Sequence, residues 1–201
     1  MGLHTDYLGS LRIEPPLSPA EIDVVKGFNR TRHCGDRAPL DVVTHPSDDD
    51  PAADVASYDR VAAGMPGLWC PWTCCDEGCC LLWDQVEQPY APDRWLRYLI
   101  DTFLRPGAAL AADPAARAAG LTFDHVLGGT IVGERRETCE LFVLAVKANV
   151  VRRRTLVPPR DGVDECGYRG EDEERQEREA ALAARRQRFA AAVAEDLRRT
   201  E

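Results

Sequence analysis

The sequence predicts an α+β fold, and three observations carry that expectation. Short apolar runs such as Tyr7 to Glu14 and Glu140 to Lys147 read as strands, and segments opening at Ser18 and Pro92 repeat their apolar residues at helical spacing. The two kinds of segment interleave along the chain instead of separating into halves. With 201 residues, 44% of them hydrophobic, the chain is long enough to bury one sizeable core.

The first element is a half-buried strand. Tyr7, Leu11 and Ile13 fall on one face, Ser10, Arg12 and Glu14 on the other, and Pro15-Pro16 stops it. Ser18-Pro19-Ala20-Glu21 then combines a serine N-cap, a proline at the first helical position and a glutamate placed to close a capping box. A helix to about Arg32 follows, with Ile22, Val25 and Phe28 inward. Between Cys34 and Met65 the periodicity vanishes, so residues 34–65 read as a long acidic surface loop around Asp48-Asp49-Asp50-Pro51, with Val55 to Val61 able to dock locally.

The stretch from Pro66 to Pro106 is the expected centre of the fold, since it holds all four tryptophans and five of the eight cysteines. Two aromatic-rich runs flank Asp76-Glu77-Gly78, which predicts a β-hairpin. Pro92 opens a second helix that carries Trp95, Leu96, Leu99, Ile100 and Phe103 inward until Pro106-Gly107 ends it. Ala108 to Gly120 supplies a short helical excursion. Strands are expected at Thr122 to Glu134, at Glu140 to Lys147 and, as an edge, at Val150 to Val157, where Arg152, Arg153 and Arg154 guard against aggregation.

This order is that of a ferredoxin-like antiparallel sheet with two packed helices and an extra C-terminal strand. Residues 1–158 form that domain, 159–170 a linker, and 171–201 a charged, alanine-rich helix of roughly 40 Å. Both packed helices cover one sheet face, which leaves the other open unless the tail covers it. Leu182, Phe189, Val193 and Leu197 give the tail a narrow apolar stripe, enough to dock on a surface or a partner and too little for a heptad coiled coil.

Composition narrows the function classes. The net charge of −9 and pI of about 5.0 argue against a nucleic-acid partner, which would require a basic surface. No apolar run approaches the roughly 20 residues of a membrane helix, and Met1 to Pro16 lacks a signal peptide's basic start and apolar core. A cytoplasmic protein with reduced thiols is the expectation.

The cysteines run Cys70-x3-Cys74-Cys75-x3-Cys79-Cys80, a density that invites a zinc reading. Alternation along a strand puts Cys70, Trp72 and Cys74 on one side and lets only one of Cys79 and Cys80 join them. The candidate metal set is Cys70, Cys74, Cys79 and Cys80, with Cys34, His33, Cys139 or His125 as donors from elsewhere. No paired Cys-x2-Cys signature is present, so packing of cysteine as a small hydrophobe is the favoured reading and no cofactor is required. On that reading serine is tolerated at Cys74 and Cys75 near the turn and destabilising at Cys70 and Cys80.

His125 beside Asp124 has the elements of a general base, yet no nucleophile is assignable to it by spacing, and a satisfied structural histidine is favoured. Gly128-Gly129 precedes no helix start and so marks a bulge or a close backbone approach, not a phosphate loop. Glu14, Asp84, Glu87 and Asp101 form no acid–base couple by spacing.

Five segments resemble an uncharacterised group of small actinobacterial proteins: Tyr7-Leu8-Gly9 with Glu14-Pro15-Pro16-Leu17; Pro66-Gly67-Leu68-Trp69-Cys70; Gly78-Cys79-Cys80-Leu81; Trp95 to Asp101 with Phe103-Leu104; and Phe123 to Gly129. The resemblance spans about Tyr7 to Pro158 and implies no activity, ligand or catalytic residue. The arginine excess, with only Lys26 and Lys147 as lysines among 25 basic residues, fits a GC-rich source of that kind.

The leading functional expectation is therefore a non-catalytic interaction or regulatory protein that uses its C-terminal helix for a protein partner or for self-association. A small-molecule enzyme with a pocket on the open sheet face is one alternative. A zinc module built on the cysteine hairpin is the other.

Overall fold

A computed structural model describes residues 5–35, 60–85, 91–136, 138–159 and 171–198, with side chains of the last segment described for 180–192 and 195. The centre of the 34–65 loop, the 159–170 linker after Pro159 and the side chains of Val193 and Leu197 lie outside the described residues.

The chain forms a six-stranded antiparallel sheet with helices, a mixed α+β architecture. In chain order the elements are β1 (Thr5–Glu14), α1 (Pro19–Arg30), β2 (Trp72–Cys74), β3 (Cys80–Trp83), α2 (Pro92–Leu99), α3 (Pro114–Ala118), β4 (Val126–Arg135), β5 (Leu141–Lys147), β6 (Val150–Val157) and α4 (Glu171–Arg198). The strand order is β2-β3-β1-β4-β5-β6. As a whole this is not the ferredoxin-like order: hairpin-linked β5 and β6 extend the sheet beyond β4, while β2 and β3 shrink to three and four residues. The physical cause lies in the turns. Ala148 and Asn149 both adopt positive φ, +48° and +71°, the backbone twist that a tight two-residue hairpin demands. Asn149 then fastens that turn to β4, accepting from the Leu127 amide at 2.7 Å and donating to the His125 carbonyl at 2.9 Å.

Helix α1 begins where its capping box directs. The Ser18 hydroxyl accepts from the Glu21 amide and the Glu21 carboxylate accepts from the Ser18 amide. Helix α2 runs on as one π-helical turn, Ile100–Leu104, in which Ile100, Phe103 and Leu104 are all buried. Leu11, Ile13, Leu81, Leu127, Ile131, Phe142, Leu144 and Val146 meet Val25, Phe28, Trp95, Leu96 and Leu99 in one core on this side of the sheet. Burial of side chains of this size contributes about 1.5 to 3 kcal/mol each before entropy is set against it. Gly133 in β4 has a local reason: a Cβ there would come within 2.3 Å of the Phe142 ring, which crosses β4 at that point.

The strand expected from Thr122 begins four residues later, at Val126. Phe123 has φ +58°, and Thr122 and His125 turn their side chains onto Glu21 of α1, which takes this segment off the sheet.

The opposite face carries Leu8, Ser10 and Arg12 from β1, Thr130, Val132 and Glu134 from β4, and Val143, Ala145 and Lys147 from β5. Helix α4 lies over one corner of it. Arg185 reaches Glu134 at 3.1 Å and Asp6 at 3.5 Å, Arg188 reaches Glu134 at 3.5 Å, and Phe189 sits over Leu8, Val132 and Leu141 with a gap of about 110 Å³ beneath. Ala180 to Ala184, including Leu182, are exposed, so the helix leaves the sheet before it reaches Arg185. Among the described residues no helix is long and apolar enough to cross a membrane.

Candidate functional site

Two clusters bring chemistry-bearing residues together. The first is the turn between β2 and β3. Cys74 is the last residue of β2, after which the chain closes a tight turn: the Gly78 amide donates to the Cys75 carbonyl at 3.1 Å and the Cys75 amide to the Cys80 carbonyl at 3.0 Å. Gly78 adopts φ +67°, and a side chain there would strike the Leu17 carbonyl at 2.7 Å. The turn is thereby pressed against the segment leading into α1, and the Leu17 amide donates to the Gly78 carbonyl at 3.0 Å. Lys26 of α1 pairs with Asp76 at its tip.

This geometry collects Cys75, Cys79 and Cys80, whose sulfurs all lie within 4.8 Å of one another, with Cys75 and Cys79 at 3.5 Å. Cys79 is exposed, and Cys75 and Cys80 are half-buried. Burial pushes the Cys75 thiol up, but hydrogen bonds from Cys80 and Cys79 outweigh it and the net shift is downward. Burial first, and then donation to Cys75, push Cys80 up to about 12. The trio thus shares its protons so that one sulfur carries the negative charge most readily.

Of the four cysteines singled out by strand alternation, the structure brings Cys79 and Cys80 together with Cys75. Cys70 and Cys74 are 1% and 3% exposed on the core side, and burial holds their thiols up at about 12 and about 11. The hydroxyl-tolerance expectation changes with this: Cys74 belongs with Cys70 among the buried positions, and Cys80 belongs with the turn. Alternation assigned the faces correctly only as far as Cys74, because β2 ends there and the turn reorients Cys75. The repeated Cys-Cys doublets on either side of a Gly-containing turn were the available signal.

None of the donors considered from elsewhere joins the trio. Cys139 lines the gap under Phe189. His33 is 1% exposed and stacked on Phe28 at 4.1 Å and near Trp95 at 5.1 Å, with no well-formed hydrogen bond from either ring nitrogen. Burial pushes it down to about 4 against a smaller pull from the Phe28 carbonyl, which keeps the ring neutral.

The second cluster surrounds His125, also 1% exposed. Its Nδ1 faces the Pro15 carbonyl at 2.8 Å and its Nε2 faces Glu21 Oε1 at 3.0 Å, so both nitrogens have acceptors and the ring is held as an imidazolium. Glu21 Oε1 also accepts from the Thr122 amide at 2.8 Å and is within 2.7 Å of the Thr122 hydroxyl, while Oε2 accepts from Ser18. Burial disfavours both charges, yet the Glu21 hydrogen bond raises His125, and donation from His125, Thr122 and Ser18 draws Glu21 well below the usual carboxylate range. A base must have an open lone pair and reach a substrate proton. His125 has neither, and the cluster acts as a staple between the start of α1 and the approach to β4.

On the outer sheet face, Lys147, Arg152 and Arg154 rim a shallow cleft of about 660 Å³ floored by Val143 and Ala145. Arg153 points to the other side, over the Phe142 ring at 4.3 Å and to Glu140 at 2.7 Å. Leu182 and Phe189 of the tail's apolar stripe separate: Phe189 faces the sheet and Leu182 is 46% exposed. No family model, curated protein or solved structure matches the chain.

Proposed function

We propose that the protein is a non-catalytic interaction module that associates with a second copy of itself through α4. The observation that carries this is the described part of the helix, whose contacts with its own sheet start only at Arg185. Its 28 residues span about 42 Å, yet the described contacts with the sheet begin at Arg185, and Ala180 to Ala184 stand exposed. A helix of this composition has little stability alone, so the exposed turn at Ala180 to Ala184 argues for a further surface.

Charge argues for what that surface is. The first nine residues, Glu171 to Glu179, contain six acidic and two basic side chains by sequence. Away from the described α4 contacts, the outer sheet face presents Lys147 and Arg152 on a chain of net charge −9. The acidic start of one copy's helix complements the basic cleft of another. The chemistry of the buried groups supports the same reading, since the His125–Glu21 pair is consumed internally. The finer fold expectation, a ferredoxin-like unit, is kept only for the β2-β3-β1-β4 part of the sheet, supported by β1 lying between β3 and β4.

Sedimentation of the full chain and of a chain ending at Pro159 tests this. The expected result is a concentration-dependent species near twice 22.3 kDa for the full chain, weakened by salt, and a folded monomer for the shortened one. A full chain that stays monomeric at all concentrations overturns it.

A further inference from the structure

The β2–β3 turn holds three thiols in a geometry that packing alone does not require. Zinc–sulfur bonds of about 2.3 Å place the sulfurs of a shared ion about 3.8 to 4.0 Å apart. Cys75, Cys79 and Cys80 are already within 4.8 Å of one another, with Cys75 and Cys79 at 3.5 Å, so an ion at their centre requires only rotations and small shifts of the exposed Cys79 and the half-buried Cys75 and Cys80 side chains. The backbone beneath them is fixed by two turn hydrogen bonds and by the seating of Gly78 on Leu17. We infer that Cys75, Cys79 and Cys80 form a three-thiolate site for a thiophilic d10 cation, Zn2+ or Cu+, with its fourth side open to solvent.

The donor set selects the class of ion. Three sulfurs without a carboxylate or carbonyl oxygen among the ligands favour soft or borderline cations over Mg2+, Ca2+ and Mn2+. On binding, each coordinated thiol forms a metal–sulfur bond and gives its proton to solvent, and no electron is transferred. Zn2+ with three thiolates carries one negative charge, which the solvent-exposed position of Cys79 leaves hydrated. Exposure of Cys79 leaves the fourth position to water or to a donor from another molecule. The site is separate from the α4 surface, so its failure and the failure of the self-association reading are told apart by different measurements.

The test is metal titration of the reduced full-length chain, using Co2+ as a spectroscopic probe with Zn2+ competing it off, and Cu+ in a separate arm buffered by glutathione. One equivalent of Co2+ should produce thiolate-to-cobalt charge-transfer absorption that Zn2+ abolishes, or one equivalent of Cu+ should be retained against glutathione. Cys79→Ser, at an exposed position where folding is little affected, should weaken binding by more than about 100-fold. Cys139→Ser should leave binding unchanged. Absence of stoichiometric binding in both arms overturns the inference. So does binding that survives in the Cys75→Ser/Cys79→Ser/Cys80→Ser variant, or that Cys139→Ser removes equally.

Discussion

At the scale of single residues, the His125–Glu21 pair is where the physical chemistry is most demanding. Two opposite charges, each almost fully buried, hold only because every lone pair and proton has a partner. Replacing Glu21 by glutamine leaves an uncompensated imidazolium and should cost about 3 to 5 kcal/mol, measured by urea unfolding. The pH dependence follows from the two shifts. His125 is raised in the fold, so its contribution is complete below the unfolded value of about 6.5 and fades as pH rises through the folded one. Glu21 is lowered, so its contribution is complete above about 4.3 and fades as pH falls through its folded value. Stability should therefore be greatest between those limits, and Glu21→Gln should flatten the acid limb of the profile. An unaltered acid limb in that variant sinks the account. Sequence showed the capping role of Glu21 through its spacing from Ser18. It did not show the second role, because Thr122 and His125 are 101 and 104 residues away and nothing local marks the encounter.

At the scale of elements, helices and strands were legible where one face alone decides the pattern. Leu11 and Ile13 in β1, Val25 and Phe28 in α1, and Trp95, Leu96, Leu99 and Phe103 in α2 are buried as their periodicity implies. Alanine at Phe103, which packs edge-on to Phe28 at 5.0 Å, should cost about 3 to 5 kcal/mol. What escaped were departures from regular geometry: the π-turn that closes α2, the early end of β2 and the late start of β4. Each depends on a tertiary partner and not on the residues of the element. The same dependence makes Gly133 a sharp test. Alanine there drives the Phe142 ring out of a fully buried position, an overpacking cost of about 1 to 3 kcal/mol that Phe142→Leu should partly relieve. Thermal melts of the two single variants and the pair measure the coupling. Additive losses would show that the ring has room to move.

For the whole molecule the open question posed by the sequence was what becomes of the second sheet face. The answer divides it: α4 covers the Leu8–Val132–Leu141 corner and runs beside Arg154, while no described α4 side chain lines the cleft at Lys147 and Arg152. The covering helix is held mainly by charge, with Arg185 placed between Asp6 and Glu134 and all three side chains less than a quarter exposed. Partial shielding makes such a shared pairing stronger than an isolated surface bridge, yet its scale remains about 1 kcal/mol. That is small against the stability of a domain, which sets the expected phenotype. Arg185→Glu places a third negative charge between two carboxylates and should release α4 from its own sheet without unfolding the β1–β6 domain. Hydrogen exchange reads this directly: faster exchange along α4 with an unchanged sheet core is the expected pattern. Self-association should persist or strengthen in this variant, because release frees the whole helix for a second copy, whereas Leu182→Glu should weaken it by altering the exposed half. If Arg185→Glu instead lowers the melting temperature of the entire domain and collapses the sheet's protection, α4 is an integral layer of the fold and is no longer the means of association.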